Sequence, residues 1–126
     1  MSAAEKILIV EDEPVVALGM ETTLTANGYE VLGPCRTVDA AFNEIRLHKP
    51  DQAILDIKLA DGETCEPISD YLQAAKVPII FSSVFSEAHN LLLRKYPDAH
   101  HFTKPHDPMD LLAVLDHTYS APHPLT

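Results

Sequence analysis

The feature that most constrains the fold of this chain is a fivefold alternation of short apolar runs with longer stretches of helical spacing. Runs such as Ile-Leu-Ile-Val and Ile-Ile-Phe are apolar on both faces of a strand. Strands of that kind are typical of a parallel sheet that is covered by helices on each side. The alternation therefore predicts an α/β fold, a doubly wound five-stranded parallel sheet with the flavodoxin-like order 2-1-3-4-5.

The predicted elements follow one another along the whole chain. Strands are expected at residues 6–10, 29–32, 52–57, 77–82 and 99–103, with Gly33-Pro34 ending the second. Apolar residues three or four positions apart mark the helices, the first of which is expected over Pro14–Ala26. Ala75 is placed on the third helix. The length fits one domain over residues 1–126, with a loose tail at residues 120–126.

Composition excludes several classes of protein. The chain lacks an apolar run long enough to span a bilayer and lacks a signal peptide, so a cytoplasmic protein without membrane contact is expected. A net charge of −10 opposes direct binding to nucleic acid. The two cysteines, Cys35 and Cys65, are expected to be reduced, because a domain of this size needs no disulfide.

Polar residues gather where the predicted strands end. In a parallel sheet the carboxyl ends of all strands lie at one edge, and ligands bind there near the point where the strand order reverses. Four of the five strands, all but the second, bring polar residues to this edge: Glu11, Asp12, Asp56, Ser82, Ser83 and Lys104.

Three carboxylates that converge at one edge repel one another unless a cation neutralises them. Oxygen ligands suit Mg²⁺, and the lack of nearby Cys or His disfavours zinc. A carboxylate beside Mg²⁺ can act as a nucleophile toward phosphorus, while the metal and a lysine spread the charge of the phosphoryl group. Taken alone, Glu11-Asp12-Glu13 could simply complement the dipole of the following helix, and Asp56 could be an ordinary strand-end residue.

The chain resembles a response-regulator receiver domain over nearly its whole length. The matching stretches are Ile-Leu-Ile-Val-Glu-Asp-Glu-Pro, Ala-Ile-Leu-Asp-Ile, Pro-Ile-Ile-Phe-Ser-Ser and Phe-Thr-Lys-Pro. The resemblance implies an Mg²⁺ site and a phosphoacceptor aspartate. The resemblance implies that the metal is bound by Glu11, Asp12, Asp56 and the Lys58 backbone carbonyl, and that Asp56 also accepts the phosphoryl group. It further implies that Ser83 provides the switch hydroxyl and that Lys104 is the lysine of the family.

Three positions depart from the family pattern. His101 stands where the switch aromatic is usual, Val84 is bulkier than the usual Ala or Gly, and Cys65-Glu66-Pro67 lies in a segment that is often shorter. The stretches Leu-Ala-Asp-Gly-Glu-Thr and Phe-Ser-Ser-Val-Phe partly resemble a bacterial subgroup of stand-alone receivers. His100 and His101 point to opposite faces of a strand, so we expect packing and surface roles for the histidines rather than chelation.

The resemblance implies a phosphoryl-accepting switch. A sensor histidine kinase or a histidine phosphotransferase would donate to Asp56, hydrolysis would reset the domain, and a downstream protein would read the change. A second copy of the chain is a further candidate partner after phosphorylation. The chain would catalyse only its own phosphorylation and dephosphorylation.

Two other readings remain at this point. One is a binding module that keeps the receiver fold without signalling. The other is an Asp-based phosphatase of the haloacid dehalogenase type, which is disfavoured because Ile57 and Lys58 follow Asp56 in place of a second acid. A dinucleotide or flavin binder is also disfavoured, since no glycine-rich loop follows the first strand.

Overall fold

The computed structural model describes residues 4–84 and 86–120. Within these residues, strands and helices alternate as the sequence predicts. Their bounds in chain order are β1 Lys6–Val10, α1 Pro14–Ala26, β2 Glu30–Cys35, α2 Val38–His48, β3 Gln52–Leu55, α3 Glu66–Ala74, β4 Ile79–Ser83, α4 Glu87–Lys95, β5 His100–Thr103 and α5 Pro108–Ser120. A short 3₁₀ turn at Ala60–Gly62 precedes α3.

The strands form one parallel sheet in the order β2-β1-β3-β4-β5, which confirms the predicted fold class. Alternate residues of β1 enter two separate apolar cores. Ile7 and Ile9 pack with α1 and α5, whereas Leu8 and Val10 pack with α2, α3 and α4. The sheet is thus covered on both faces, and its central strands are apolar on both sides for that reason.

Several element bounds differ from the sequence prediction. The second strand does not end at Gly33-Pro34 but continues to Cys35 across an irregular register. Gly33 has φ +95, and a Cβ there would lie 2.9 Å from the carbonyl oxygen of Ile9, so a glycine lets the two strands approach closely. The third strand ends at Leu55, which leaves Asp56 just beyond it.

Two helices also end elsewhere than expected. Ala75 does not lie on α3 but follows its last residue, Ala74, and is exposed. The last helix continues to Ser120, so the expected tail does not begin there, and residues 121–126 lie outside the described part. Among the described helices, none is both long enough and apolar enough to cross a membrane.

Both cysteines are buried free thiols, as expected. Burial raises the pKa of Cys35 to about 11 and that of Cys65 to about 12. At neutral pH both thiols therefore stay protonated and behave as small apolar side chains of the core.

Candidate functional site

Three carboxylates meet at the carboxyl edge of the sheet. Glu11 and Asp12 directly follow β1, and Asp56 directly follows the neighbouring β3. One carboxylate oxygen from each lies within 4.8 Å of the others. Backbone hydrogen bonds fix their places: the Asp56 N–H donates to the Val10 carbonyl at 2.9 Å, and the Glu11 N–H donates to the Cys35 carbonyl at 2.8 Å. Glu11 and Asp56 are buried, while Asp12 is half-buried.

Lys104 brings a cation to these acids. Its ammonium lies 2.7 Å from Glu11 Oε1, 3.0 Å from Asp56 Oδ2 and 3.1 Å from Glu13 Oε1. The Lys104 N–H donates to the Ser83 carbonyl at 2.9 Å, which sets the point from which the side chain reaches across the edge. Sequence reasoning placed Lys104 here but did not recognise Glu13 as a partner.

The pKa values show that burial disfavours the charged form of the carboxylates at this edge. Burial raises the pKa of Glu11 to about 7, against the opposing effects of Lys104 and of the Glu13 N–H that donates to Glu11. Burial also raises the pKa of Asp56, although the hydrogen bond from Lys104 works against it. For Lys104, burial lowers the pKa, but the carboxylates of Glu11 and Asp56 outweigh it and the net change is upward. A further cation would relieve the carboxylates that this one lysine shares.

The chemistry of the donor set fits Mg²⁺. The cluster offers carboxylate oxygens, which are the hard ligands that Mg²⁺ prefers, and it contains no thiol or imidazole ligand among the described residues. Lys58 lies two residues beyond Asp56, with its side chain exposed to solvent. A lysine ammonium has no lone pair to offer a cation, so any contribution from this residue would come from its backbone carbonyl.

The connection between β3 and α3 is held in place by hydrogen bonds. The Leu59 N–H donates to the Glu63 carbonyl at 2.8 Å, and the Cys65 N–H donates to the Ile57 carbonyl at 2.9 Å. The Glu63 carboxylate also accepts from the Val38 N–H at 3.1 Å, at the first turn of α2. This tether, which sequence reasoning missed, links the segment after Asp56 to a second helix.

The two residues assigned to switching lie in different surroundings. Ser83 is buried at the end of β4, and its hydroxyl has no hydrogen-bond partner among the described residues. His101 is exposed on β5, with Nε2 3.3 Å from the Thr103 hydroxyl. Val84 is also exposed, so its bulk does not fill the core.

A second histidine lies close to the site. His106 Nε2 is 2.7 Å from the hydroxyl of the fully buried Ser82. Its ring packs against Phe102, with ring centroids 5.4 Å apart. Sequence reasoning treated the histidines as packing and surface residues and did not single out this one, because nothing in the sequence pairs it with a serine 24 positions earlier.

Comparison with known proteins agrees with the geometry. Residues 7–116 match the family model of the response regulator receiver domain. The chain is 33% identical over 115 residues to the phyllosphere-induced regulator PhyR of Methylorubrum extorquens. This match covers 89% of this chain and 42% of that protein. The solution structure of SdrG from Sphingomonas melonis Fr1 is 31% identical, with a TM-score of 0.76 over 92% of this chain and 97% of SdrG.

A CheY-like receiver domain from Methanospirillum hungatei JF-1 has a TM-score of 0.80 over 94% of this chain and 96% of its own. At 24% identity, that likeness shows the fold alone. The chain spans 42% of the length of PhyR and 55% of the length of the transcriptional regulatory protein PdtaR of Mycobacterium tuberculosis.

Proposed function

Because this chain belongs to the receiver domain family of two-component response regulators, we propose that Asp56 accepts a phosphoryl group from a phosphohistidine of a partner protein. The observation that carries the proposal is the meeting of Glu11, Asp12 and Asp56 within 4.8 Å, with the Lys104 ammonium 3.0 Å from Asp56. A buried carboxylate beside a lysine, with two neighbouring acids that can hold a divalent cation, offers the nucleophile and the positive charge that phosphoryl transfer uses.

In the proposed transfer, an Asp56 carboxylate oxygen bonds to phosphorus as the bond from phosphorus to the donor's imidazole nitrogen breaks. Asp56 must be ionised to attack, and Lys104 favours the ionised form against the effect of burial. Mg²⁺, when held by Glu11, Asp12, Asp56 and the Lys58 carbonyl, would supply positive charge beside the transferring oxygens. Water later hydrolyses the aspartyl phosphate and restores the carboxylate.

Lys104 would change its partner after the phosphoryl transfer. Once Asp56 carries a phosphoryl group, the Lys104 ammonium can pair with a phosphoryl oxygen in place of the free carboxylate. The Ser83 hydroxyl, which lies buried at the neighbouring strand end, would donate to another oxygen. These two shifts would change the surface around β4 and β5, and a downstream protein or a second copy of the chain would respond to it.

A groove beside the site suits the phosphodonor partner. It encloses about 410 Å³ between α1 and the segment that follows β5, and Glu13 and Lys104 lie among the residues that line it. Apolar side chains on its wall face solvent, with Val15 84% exposed and Val84 55% exposed. Lys104 links this groove to the acceptor, since its ammonium lies 3.0 Å from Asp56 Oδ2. We propose that a histidine kinase or histidine phosphotransferase packs its apolar surface here.

We place the chain in the cytoplasm and expect its partners to be proteins rather than nucleic acid, in line with the net charge of −10.

Acetyl phosphate tests the proposal without a known kinase. The wild type, Asp56→Asn and Asp61→Asn are incubated with acetyl phosphate and Mg²⁺, and phosphorylation is followed by intact mass. Asp61, an exposed acid of the same connection, serves as the matched control. We expect labelling of the wild type and of Asp61→Asn but not of Asp56→Asn. Equal labelling of Asp56→Asn would refute the assignment.

A further inference from the structure

We infer that His106 is a positioning residue, which through its hydrogen bond to Ser82 holds Lys104 at the acceptor carboxylate. The inference rests on the proposed function and adds to it a residue pair that the family pattern does not assign. It starts from two adjacent serines at the end of β4 that face opposite sides of the sheet.

Ser82 and Ser83 face different cores of the protein. Phe81 and Ile80 mark the two sides of β4, since Phe81 lies in the core with α2, α3 and α4, and Ile80 in the core with α1 and α5. By alternation, Ser83 faces the side of Phe81 and Ser82 the side of Ile80. The bond from Ser82 to His106 therefore leaves the Ser83 hydroxyl uncommitted.

The segment that joins β5 to α5 carries Lys104 and needs to be held in place. At one end, the Lys104 N–H donates to the Ser83 carbonyl at 2.9 Å. At the other end, the Asp107 carboxylate accepts from the Met109 N–H at 2.9 Å, at the start of α5. Between these anchors, the His106 ring reaches back to the Ser82 hydroxyl at 2.7 Å.

The position of the Lys104 backbone determines whether its ammonium can reach both carboxylates. Its ammonium must lie within ion-pair distance of Glu11 and Asp56 at the same time, at 2.7 Å and 3.0 Å. A lysine side chain is long and has many rotamers, so a displaced backbone lets the ammonium leave the acceptor. His106 follows Lys104 by two residues, which ties the backbone of that segment to β4 and restricts such displacement.

The test compares rates of phosphorylation by acetyl phosphate at saturating Mg²⁺. The variants are Ser82→Ala and His106→Phe, which break the bond, and His106→Gln, whose amide can replace the Nε2 atom toward Ser82. The control is Gln52→Ala, at the opposite end of the sheet, where a buried amide donates to Glu5 and to the Leu115 carbonyl. Mg²⁺ affinity and unfolding by urea are measured for each.

We expect the maximal rate to fall on the order of tenfold in Ser82→Ala and His106→Phe, because the reacting groups lose their alignment. Mg²⁺ affinity should not fall, since neither residue is in the carboxylate cluster. His106→Gln should recover most of the rate, and Gln52→Ala should lose stability without losing rate. If a single variant does not fold, the double variant Ser82→Ala/His106→Phe replaces the polar pair by apolar groups and should be equally slow.

Wild-type rates in Ser82→Ala and His106→Phe would overturn the inference while leaving the proposed function intact. So would a rate in His106→Gln as low as that in His106→Phe, or an equal loss of rate in Gln52→Ala. A wild type that acetyl phosphate cannot label would overturn the proposed function itself, and the inference with it.

Discussion

Replacing Lys104 by methionine should destabilise the metal-free protein strongly, and Mg²⁺ should reverse part of the loss. The substitution keeps the apolar stem and removes only the charge. Lys104 is 9% exposed at the side chain, and Glu11 and Asp56, its closest partners, are also buried. These carboxylates would lose their cation in a place where water can replace it only in part.

The size of the effect follows from the burial of the pair. Removing one partner of a buried ion pair costs about 3–5 kcal/mol, whereas an exposed pair is worth about 0–1 kcal/mol. With a urea dependence of about 2 kcal/mol per molar, the unfolding midpoint should fall by about 2 M. Mg²⁺ at about 100 times its Kd adds about 2.7 kcal/mol to the wild type. The variant should gain more, because no ammonium competes for its carboxylates.

The assay is urea unfolding of the wild type and Lys104→Met, each with EDTA and with saturating Mg²⁺. Lys95→Met is the matched control, since Lys95 also pairs with two acids, Glu66 and Asp70, but is 45% exposed. In the control, we expect a small loss of unfolding free energy that does not depend on Mg²⁺. A loss below about 1 kcal/mol in Lys104→Met, or a loss that Mg²⁺ leaves unchanged, would refute the reasoning.

Three further outcomes are expected. Asp12→Ala should weaken Mg²⁺ binding at least about tenfold in a titration, and Asp61→Ala should not; equal affinities would place the metal elsewhere. Without metal, the unfolding free energy should decrease as pH rises from 4.5 to about 7, because folded Glu11 keeps its proton over this window and the unfolded chain does not. Glu11→Gln should remove that component of the slope, and identical pH profiles would argue against it. Hydrogen exchange around Ser83 should change on phosphorylation even in His101→Ala, since His101 is already exposed; loss of that change would make His101 the switch residue.

The alternation of apolar runs with helical spacing was enough to predict a doubly wound parallel sheet, and the flavodoxin-like order expected for it is the observed one. The sequence was less reliable at element ends, where local chemistry competes with pairing. Gly33-Pro34 is typical of a strand end, yet β2 continues through it as an edge strand, where a proline and an irregular register are tolerated. Ala75 matched the helical spacing, but α3 ends before it and Lys76 has φ 62, a left-handed conformation that cannot continue a helix.

At the site, the residues that could be predicted from the sequence are those at the ends of the strands. Asp12, Asp56 and Lys104 could be placed at one edge because parallel strands end there together. The partners Glu13, Glu63 and His106 could not, since each meets a residue of another element at a distance set by loops. Their partners lie 91, 25 and 24 positions away along the chain. Such contacts depend on tertiary packing, and no local sequence pattern predicts them.

The two edge strands have a consequence for how copies of this domain can associate. An edge strand offers unpaired backbone groups to which another chain can add a strand. Here β2 is interrupted by an irregular register and by Pro34, which has no N–H to donate, and β5 is only four residues long with mostly exposed side chains. Both features discourage growth of the sheet from one molecule into the next. Strand addition between copies is therefore disfavoured, and a second copy would have to bind through side-chain surfaces, which the proposed phosphorylation would reshape.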